Sequence, residues 1–340
     1  MVMVVIHETG HFLVGKLFHF TILEYSIGFG PKIFQKENKD SGEKFSIRCI
    51  PLGGYCQFKD ENEDGSLDEG AFNAKPVWQR ILVLVAGAAM NFITAVIFIS
   101  IFFMAYGDFL PKVYKTYDYV DEAYVQQFEV DDVIYEIDGK MAYSLLNQSK
   151  LKKLINGKET VTVTVMRDGE FKDLQISLQD YYGQVTDSEG NVIEVSGKGL
   201  GISVSYEQIK LSFFKALGHA FEFIGEVVVM IFKTLGSVFT GSMKVSQAMG
   251  GTVTTISVLS MLVQNGFMMT LYGVCILSAS LGVSNLFPIP ALDGGRIVFC
   301  IIEGIRGKPM NRKVEGILNV VGLVLLLVLA IVLDLLHFLG

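Results

Sequence analysis

The feature that most constrains the fold of this chain is a long run without one charged side chain, from Ile81 to Gly107. About 20 consecutive apolar residues are enough for a helix that crosses the hydrocarbon core of a bilayer, and this run is longer. Inside lipid, a single segment satisfies all its backbone hydrogen-bonding groups only as a helix. The run therefore predicts a transmembrane helix.

Composition extends this prediction to the whole chain. Of its 340 residues, 51% are hydrophobic, and the mean hydropathy is +0.44. This is more apolar side chain than a soluble protein of such length buries. The formal net charge is −7, which argues against nucleic acid as a partner because a protein that binds phosphate backbones needs a basic face. We predict a polytopic α-helical membrane protein with about four transmembrane helices.

Polar and apolar stretches divide the chain into successive segments. Only six residues precede His7, too few to complete a span, so the first helix is expected to begin inside the bilayer or to lack its start. The predicted segments are 1–18, the first transmembrane helix; 19–79, a cytoplasmic-side loop; 80–107, the second transmembrane helix; 111–206, a soluble domain; 208–264, an amphipathic segment at the membrane surface; 266–293, the third transmembrane helix; 294–313, a cytoplasmic loop; and 315–338, the fourth transmembrane helix.

Two of these segments contain stretches that alternate between apolar and polar residues, as β-strands do. Residues 44–50 alternate and precede Leu52-Gly53-Gly54, which predicts a β-hairpin with this tripeptide as its turn. In the soluble domain, a strand predicted at 132–137 precedes a helix predicted over 144–155, and a hairpin with strands predicted at 161–165 and 174–178 follows the helix. This order of strand, short helix and hairpin is similar to a PDZ domain. We therefore expect an inserted α+β domain.

The charges between the last two predicted helices indicate the orientation. Short cytoplasmic loops are enriched in lysine and arginine, and this loop is expected in the cytoplasm. With four spans, the PDZ-like domain and both termini then lie outside. The basic residues of the loop are Arg296, Arg306, Lys308, Arg312 and Lys313.

A His-Glu-x-x-His motif stands near the start of the chain, at residues 7–11. Histidines four residues apart lie on one face of a helix, one turn from each other, so His7 and His11 can reach one cation. Glu8 lies beside them, where it can take a proton from a water whose pKa a metal has lowered to about 7. Because ionisable side chains in an apolar span are costly without a partner, the motif predicts a zinc site within the membrane.

A catalytic zinc site of this kind has three protein ligands and an open position for water, so one more ligand is required. Asp293 is the best candidate because it is a carboxylate at the end of the third predicted membrane helix. Its alternative role is a turn former that caps the helix starting near Gly294. His219 and His337 are weaker candidates for the third ligand.

Taken together, the motifs resemble the site-2 protease family of intramembrane zinc metalloproteases. The resemblance covers nearly the whole chain and is greatest to the bacterial branch that carries PDZ domains and cuts anti-sigma factors and signal-peptide remnants. It depends on His7-Glu8-x-x-His11 in a first membrane helix, the central PDZ-like domain, and Asn285-x-x-Pro288-x-Pro290-x-Leu292-Asp293-Gly294 near the end.

The resemblance implies the roles of the metal site. His7, His11 and Asp293 are expected to bind zinc, and Glu8 is expected to be the general base. The reaction implied is hydrolysis of peptide bonds in or near transmembrane segments.

The resemblance also implies residues that bind the substrate. Gly87 and Asn91 match a motif of the second core helix, with Asn91 near the reacting carbonyl, whereas their spacing alone indicates helix packing and an interhelical hydrogen bond. Asn285 is expected to bind the exposed backbone of the substrate. The hairpin region is expected to dip into the membrane and to pair with an unwound substrate segment.

The implied setting is a bacterial cell membrane, with the lipid bilayer and transmembrane substrates as partners. The substrates would first be trimmed by another protease, and the outer PDZ-like domain would keep out those with bulky outer domains. Two other hypotheses remain open from the residues. One is a catalytically silent membrane scaffold with an outward PDZ-like binding domain, and the other is a transporter that uses the intramembrane carboxylates and histidines. Against the transporter, no inverted repeat is visible.

Overall fold

The structure is a computed structural model that describes residues 1–60, 66–143, 149–186, 192–242, 252–308, 310 and 312–339. In chain order the elements are α1 (Val2–Leu17), β1 (Ile22–Glu37), β2 (Lys44–Phe58), a 3-10 turn (Phe72–Ala74), α2 (Val77–Ala105), β3 (Asp108–Thr116), β4 (Asp118–Tyr119), β5 (Val133–Ile137), β6 (Lys140–Met141), α3 (Lys150–Ile155), β7 (Thr160–Arg167), β8 (Glu170–Ser177), β9 (Gln179–Thr186), β10 (Val192–Gly199), β11 (Ile202–Ile209), α4 (Phe213–Phe239), α5 (Thr252–Gln264), α6 (Phe267–Asn285), α7 (Asp293–Arg306) and α8 (Arg312–Leu339).

The chain forms two compact units. Unit 1 comprises Met1–Ile99 and Val227–Gly340, and unit 2 comprises Ser100–Glu226. Unit 1 therefore combines both ends of the sequence, whereas unit 2 is one continuous insertion. This arrangement places the His-Glu-x-x-His motif and Asp293 in the same unit.

Within the described residues, three helices are long and apolar enough to cross a membrane, by length and composition: α2, α6 and residues Lys313–Leu335 of α8. They fall where the sequence predicts the second, third and fourth transmembrane helices. Helix α1 has 16 residues, which at about 1.5 Å per residue is shorter than the roughly 30 Å of a hydrocarbon core. A count of four membrane helices therefore stays a prediction.

The region around Asp293 differs from its predicted form. Helix α6 ends at Asn285 and α7 begins at Asp293, whereas the predicted segments are one transmembrane helix over 266–293 and a loop over 294–313. The start of α7 agrees with the alternative prediction of a helix that starts near Gly294. The prolines at 288 and 290 explain the break, because proline cannot continue a helix. Helix α7 is amphipathic: Cys300 is buried in a cluster with Val83 and Leu84 of α2, and Gly307 ends the helix in a left-handed conformation.

The β1–β2 hairpin also differs from its predicted form. The sequence predicts pairing across Leu52-Gly53-Gly54, but these residues lie inside strand β2. Residues 44–47 and 54–57 of β2 instead both pair with residues 24–27 of β1. The predicted turn is therefore wrong: the two halves of β2 lie on opposite sides of β1, because β1 offers a hydrogen-bonding edge on each side.

The described strands of unit 2 form two sheets. One has the strand order β11-β3-β5-β7-β8, with β6 beside β5, and the other has the order β10-β9-β4. Strands β5, β7 and β8 lie where alternation predicts strands. Helix α3 coincides with the end of the helix predicted over 144–155, while residues 144–148 lie outside the described residues. Buried side chains of Val113, Ile134, Val163 and Ile176 form the core. A PDZ fold for this unit stays a prediction.

Candidate metal centre

The two histidines of α1 face the interior of unit 1. His7 and His11 are 6% and 7% exposed, although much of the helix around them is not buried. Their rings lie edge to face with centroids 4.7 Å apart, and their Nε2 atoms are 3.1 Å apart. The four-residue spacing produces this geometry because it returns to the same helix face after one turn.

Asp293, from the other end of the sequence, completes the cluster. Its Oδ2 atom lies 2.9 Å from His7 Nε2 and 3.3 Å from His11 Nε2. The carboxylate is the first residue of α7, so its position depends on the break between α6 and α7. Within the described part of the chain, these three residues are the one group of histidine, cysteine or acidic side chains close enough to hold a metal, with ligand atoms within 4.8 Å of one another.

The chemistry of these atoms fits a bound cation. His11 Nδ1 lies 2.8 Å from the carbonyl oxygen of Val83, and a carbonyl can only accept, so the proton of the neutral ring sits on Nδ1. His11 Nε2 then presents a lone pair to the Asp293 carboxylate, which also carries only lone pairs. A cation between these two acceptors would satisfy both, and two imidazoles with one carboxylate are an established ligand set for catalytic zinc.

Glu8 lies beside the cluster on the same helix. Its Oε2 accepts a hydrogen bond from the backbone N–H of Cys56 in β2, at 2.9 Å. A cavity of about 240 Å³ is lined by Glu8 together with His7, Asn285 and Asp293. Since one liquid water takes up about 30 Å³, this cavity can hold both a water molecule and a reacting peptide group.

The structure brings Gly87, Asn91 and Asn285 to the same place. A side chain at Gly87 has no room, because an added Cβ would lie 2.6 Å from His11 Nε2 and from His7 Cε1. The Nδ2 atoms of Asn91 and Asn285 each lie 3.3 Å from His7 Nδ1. Asn91 is fully buried, whereas Asn285 is half-buried and lines the cavity.

Of the two weaker ligand candidates, His219 is the one whose side chain the structure describes. His219 belongs to unit 2, where its Nδ1 is 3.2 Å from Asp108 Oδ2. The side chain of His337 lies outside the described residues. Burial raises the pKa of Asp108, although the hydrogen bond to His219 opposes part of this rise. This His–Asp pair is a second buried polar contact, separate from the three-residue cluster.

Sequence reasoning missed the contacts that the hairpin makes with α1. Besides the Cys56 N–H bond, the Tyr25 hydroxyl lies 2.8 Å from Thr9 Oγ1 and donates to the carbonyl oxygen of Val5. The local sequence does not predict these contacts. The first involves a backbone N–H, which nearly every residue has, and aromatic residues such as Tyr25 are common in strands. Within the hairpin, Arg48 donates a hydrogen bond to the Glu24 carboxylate. Burial by itself would raise the pKa of Glu24. The hydrogen bonds that Glu24 accepts nevertheless hold this pKa below its usual value.

Known proteins resemble this chain along most of its length. The model of a family described as Peptidase family M50 matches residues 1–329. A predicted zinc metalloprotease of Fusobacterium nucleatum is 35% identical over 332 residues, which cover 95% of this chain and 91% of the relative. Similar proteins of Clostridium acetobutylicum and Agrobacterium fabrum, also named as predicted zinc metalloproteases, are 30% and 29% identical over 334 and 343 residues. They cover 97% and 96% of this chain, and 92% and 89% of their own length is matched.

Proposed function

Because the chain belongs to peptidase family M50, the site-2 protease family of zinc-dependent metalloproteases, we propose that it hydrolyses peptide bonds in or near transmembrane segments of other membrane proteins. Its enzyme class is metallopeptidase, and its cofactor is zinc. The observation that supports the proposal most is that His7, His11 and Asp293 converge beside a cavity that Glu8 also lines.

The zinc ligands in this proposal are His7 Nε2, His11 Nε2 and Asp293 Oδ2. Zinc at this place would supply Lewis-acid polarisation of the scissile carbonyl and of the attacking water. The hydrogen bond of His11 Nδ1 to Val83 keeps the His11 ring in the tautomer that offers Nε2. The three ligands come from α1 and α7, so the packing of these helices sets the ligand geometry.

Glu8 is the general base in this proposal. The Cys56 N–H holds Oε2, which leaves Oε1 to accept the proton of the attacking water. The same oxygen then returns the proton to the leaving amine nitrogen, so that the C–N bond breaks without a free amide anion. A positioned acid–base group of this kind contributes about 10²- to 10⁴-fold to a rate.

Asn285 is placed to bind the substrate carbonyl. Its amide lines the cavity, and an N–H donor near the scissile carbonyl stabilises the negative charge that develops on the oxygen. Asn91 and Gly87, which the resemblance also connects with substrate, lie behind the histidines. Their contribution to substrate binding stays a prediction.

The substrate is proposed to bind in an extended form along β2. Among the described residues, 54–57 pair with β1 and with no second strand, and Cys56 in this stretch contacts the catalytic carboxylate Glu8. A strand edge binds an extended peptide through main-chain hydrogen bonds, so a helical substrate would unwind locally. Exposed apolar side chains at Phe29, Ile33 and Phe34 of the hairpin support its association with the membrane.

The cellular setting is part of the proposal. Three apolar helices and a fourth, α1, would place the enzyme in a bacterial cell membrane as a multi-pass protein, with the PDZ-like unit 2 on the outer side. Anti-sigma factors and signal-peptide remnants are the proposed substrates, trimmed first by another protease. Unit 2 would exclude substrates that retain bulky outer domains.

The central test compares the intact protein with Glu8→Gln in lipid bilayers. Glutamine keeps the size of the side chain but cannot take up a proton, so we expect zinc to stay bound while cleavage of a membrane-embedded reporter falls by at least about 10²-fold. Continued cleavage at the original rate would contradict the role of Glu8. The alternative function, a catalytically silent scaffold, predicts that the intact protein neither holds zinc nor cuts the reporter.

A further inference from the structure

Three positions of α2, spaced four residues apart, face the two histidines of α1. They are Val83, Gly87 and Asn91, and residues at this spacing share one helix face. His7 and His11 are also four residues apart, so the two helices present matching rows. Each histidine therefore meets its own position of α2, with Gly87 between them.

The contact at one end of this row is a positioning contact. The Val83 carbonyl accepts the hydrogen bond of His11 Nδ1, at 2.8 Å. A metal-binding histidine commonly donates its other ring N–H to a carbonyl or carboxylate, which fixes the tautomer and the ring orientation. Gly87, which has no side chain, lets the rings of His7 and His11 lie directly against α2.

The contact at the other end involves Asn91. Its side chain is 0% exposed, and its amide nitrogen is 3.3 Å from His7 Nδ1. Its Oδ1 is buried and finds no hydrogen-bond partner within the described part of the chain. The backbone carbonyl of Asn91 accepts a hydrogen bond from Ser278 Oγ, at 3.0 Å.

We propose that Asn91 is a positioning residue for the zinc ligand His7, in place of the contact with substrate that the resemblance implies. When His7 Nε2 binds a cation, the ring proton must be on Nδ1, and this N–H needs an acceptor. Rotation of the Asn91 carboxamide by half a turn exchanges its amide nitrogen and its unpartnered oxygen, which then accepts the His7 N–H. Asn91 does for His7 what the Val83 carbonyl does for His11.

The two asparagines near His7 therefore have different tasks. Asn285 is half-buried, lines the cavity, and is close to both ring nitrogens of His7, at 3.3 and 3.4 Å. It can reach a substrate. Asn91 does not line that cavity and faces only the outer nitrogen of the ring. The inference rests on the proposed function, because only a metal-binding His7 requires this tautomer.

The test measures zinc affinity by competition with a chromophoric chelator, on purified protein in lipid nanodiscs. We expect Asn91→Leu to bind zinc about 10- to 100-fold more weakly than the intact protein, the usual effect of losing an outer partner. Asn91→Asp keeps an acceptor and should restore the affinity to within about threefold. Ser278→Ala is the matched control, since it removes a neighbouring hydrogen bond that does not reach His7, and its zinc affinity should be unchanged.

The variant Asn285→Leu distinguishes the roles of the two asparagines. Its zinc affinity should stay within about threefold of that of the intact protein, while its kcat for reporter cleavage falls by about 10²-fold or more. The visible spectrum of the cobalt-substituted protein should change in Asn91→Leu and not in Ser278→Ala. Circular dichroism verifies that each variant is folded.

If folded Asn91→Leu binds zinc as tightly as the intact protein, or if Asn91→Asp does not restore the affinity, the role inferred for Asn91 is wrong. The proposed function would not be affected by either result. An intact protein that binds no zinc would overturn the proposed function itself. The two failures are therefore distinguishable in one set of measurements.

Discussion

Two buried contacts between histidine and aspartate in this protein differ in the hydrogen-bonding groups that surround them. In unit 1, His7 and His11 meet Asp293, and in unit 2, His219 meets Asp108. In both units the side chains are largely buried. The residue types are therefore the same, and their surroundings make the difference.

The unit 1 cluster has more acceptors than donors. His11 Nδ1 donates its proton to the carbonyl oxygen of Val83. His11 Nε2 and the Asp293 carboxylate therefore both present lone pairs at one point beside a cavity. In unit 2, His219 Nδ1 can donate to Asp108 Oδ2, and Asp108 Oδ1 accepts the N–H of Phe109. One donor thus meets one acceptor, and the rings of Phe103 and Tyr135 pack against His219. Because a cavity is also lined by His219, openness does not distinguish the two contacts. The difference is the surplus of lone pairs that His7, His11 and Asp293 would offer to a metal.

The largest difference between the two contacts should appear when each loses a histidine. We expect His11→Gln to bind almost no zinc, an effect larger than the roughly 10- to 100-fold that follows the loss of an outer partner. The matched variant His219→Gln should keep one zinc per protein, since glutamine can still donate to Asp108. Metal analysis after exhaustive dialysis measures both. Equal zinc loss in the two variants would remove the distinction between the contacts.

A smaller effect should follow from glycine substitutions beside each histidine. An alanine at Gly87 would press against His7 and His11, whereas a Cβ at Gly218, next to His219, meets no atom within 4 Å. Gly87→Ala should therefore weaken zinc binding and reporter cleavage by about tenfold or more, comparable to the loss of an outer partner. Gly218→Ala should leave both unchanged and raise the free energy of unfolding by up to about 1 kcal/mol. Chelator competition and chemical unfolding measure these changes, and full zinc affinity in Gly87→Ala would contradict the close contact.

The smallest expected effect concerns pH and the unit 2 pair. Because burial raises the pKa of Asp108, the folded state binds this proton more tightly than the unfolded state, whose Asp pKa is about 4. The stability that Asp108 contributes is then complete below pH about 4 and is lost as the pH rises through the raised pKa. Asp108→Asn cannot titrate, so hydrogen exchange of the amides around β3 should lose this part of its pH dependence. An unchanged pH dependence in the variant would show that another group is responsible.

Local periodicity in the sequence was sufficient to predict part of the site and part of the fold. The relation of His7, Glu8 and His11 follows from helix geometry over one turn, and it needs no distant contact. The apolar runs predicted the three long helices for the same reason, since length and composition are properties of the segment itself. Alternation likewise located β5, β7 and β8.

Other parts depend on partners that are distant in sequence. The predicted turn at Leu52-Gly53-Gly54 was wrong because alternation identifies a strand but not the strand with which it pairs. In the structure, both halves of β2 pair with β1. Helix α7 entered the sequence analysis only through the alternative role of Asp293, as a cap of a helix starting near Gly294. The apolar face of α7 packs against α2, which is distant in sequence. The Cys56 N–H that holds Glu8 is a backbone group, and every residue except proline has one.

The sequence by itself determined that two histidines and a glutamate share one helix face in an apolar setting, because these relations are local. Only the tertiary structure decided which atoms surround them. It brought Asp293 across 286 positions to within 2.9 Å of His7, and it placed Val83 and Asn91 behind the rings and Asn285 at the cavity. Packing between helices sets these distances, and packing depends on the whole chain, so the site is encoded locally but assembled globally.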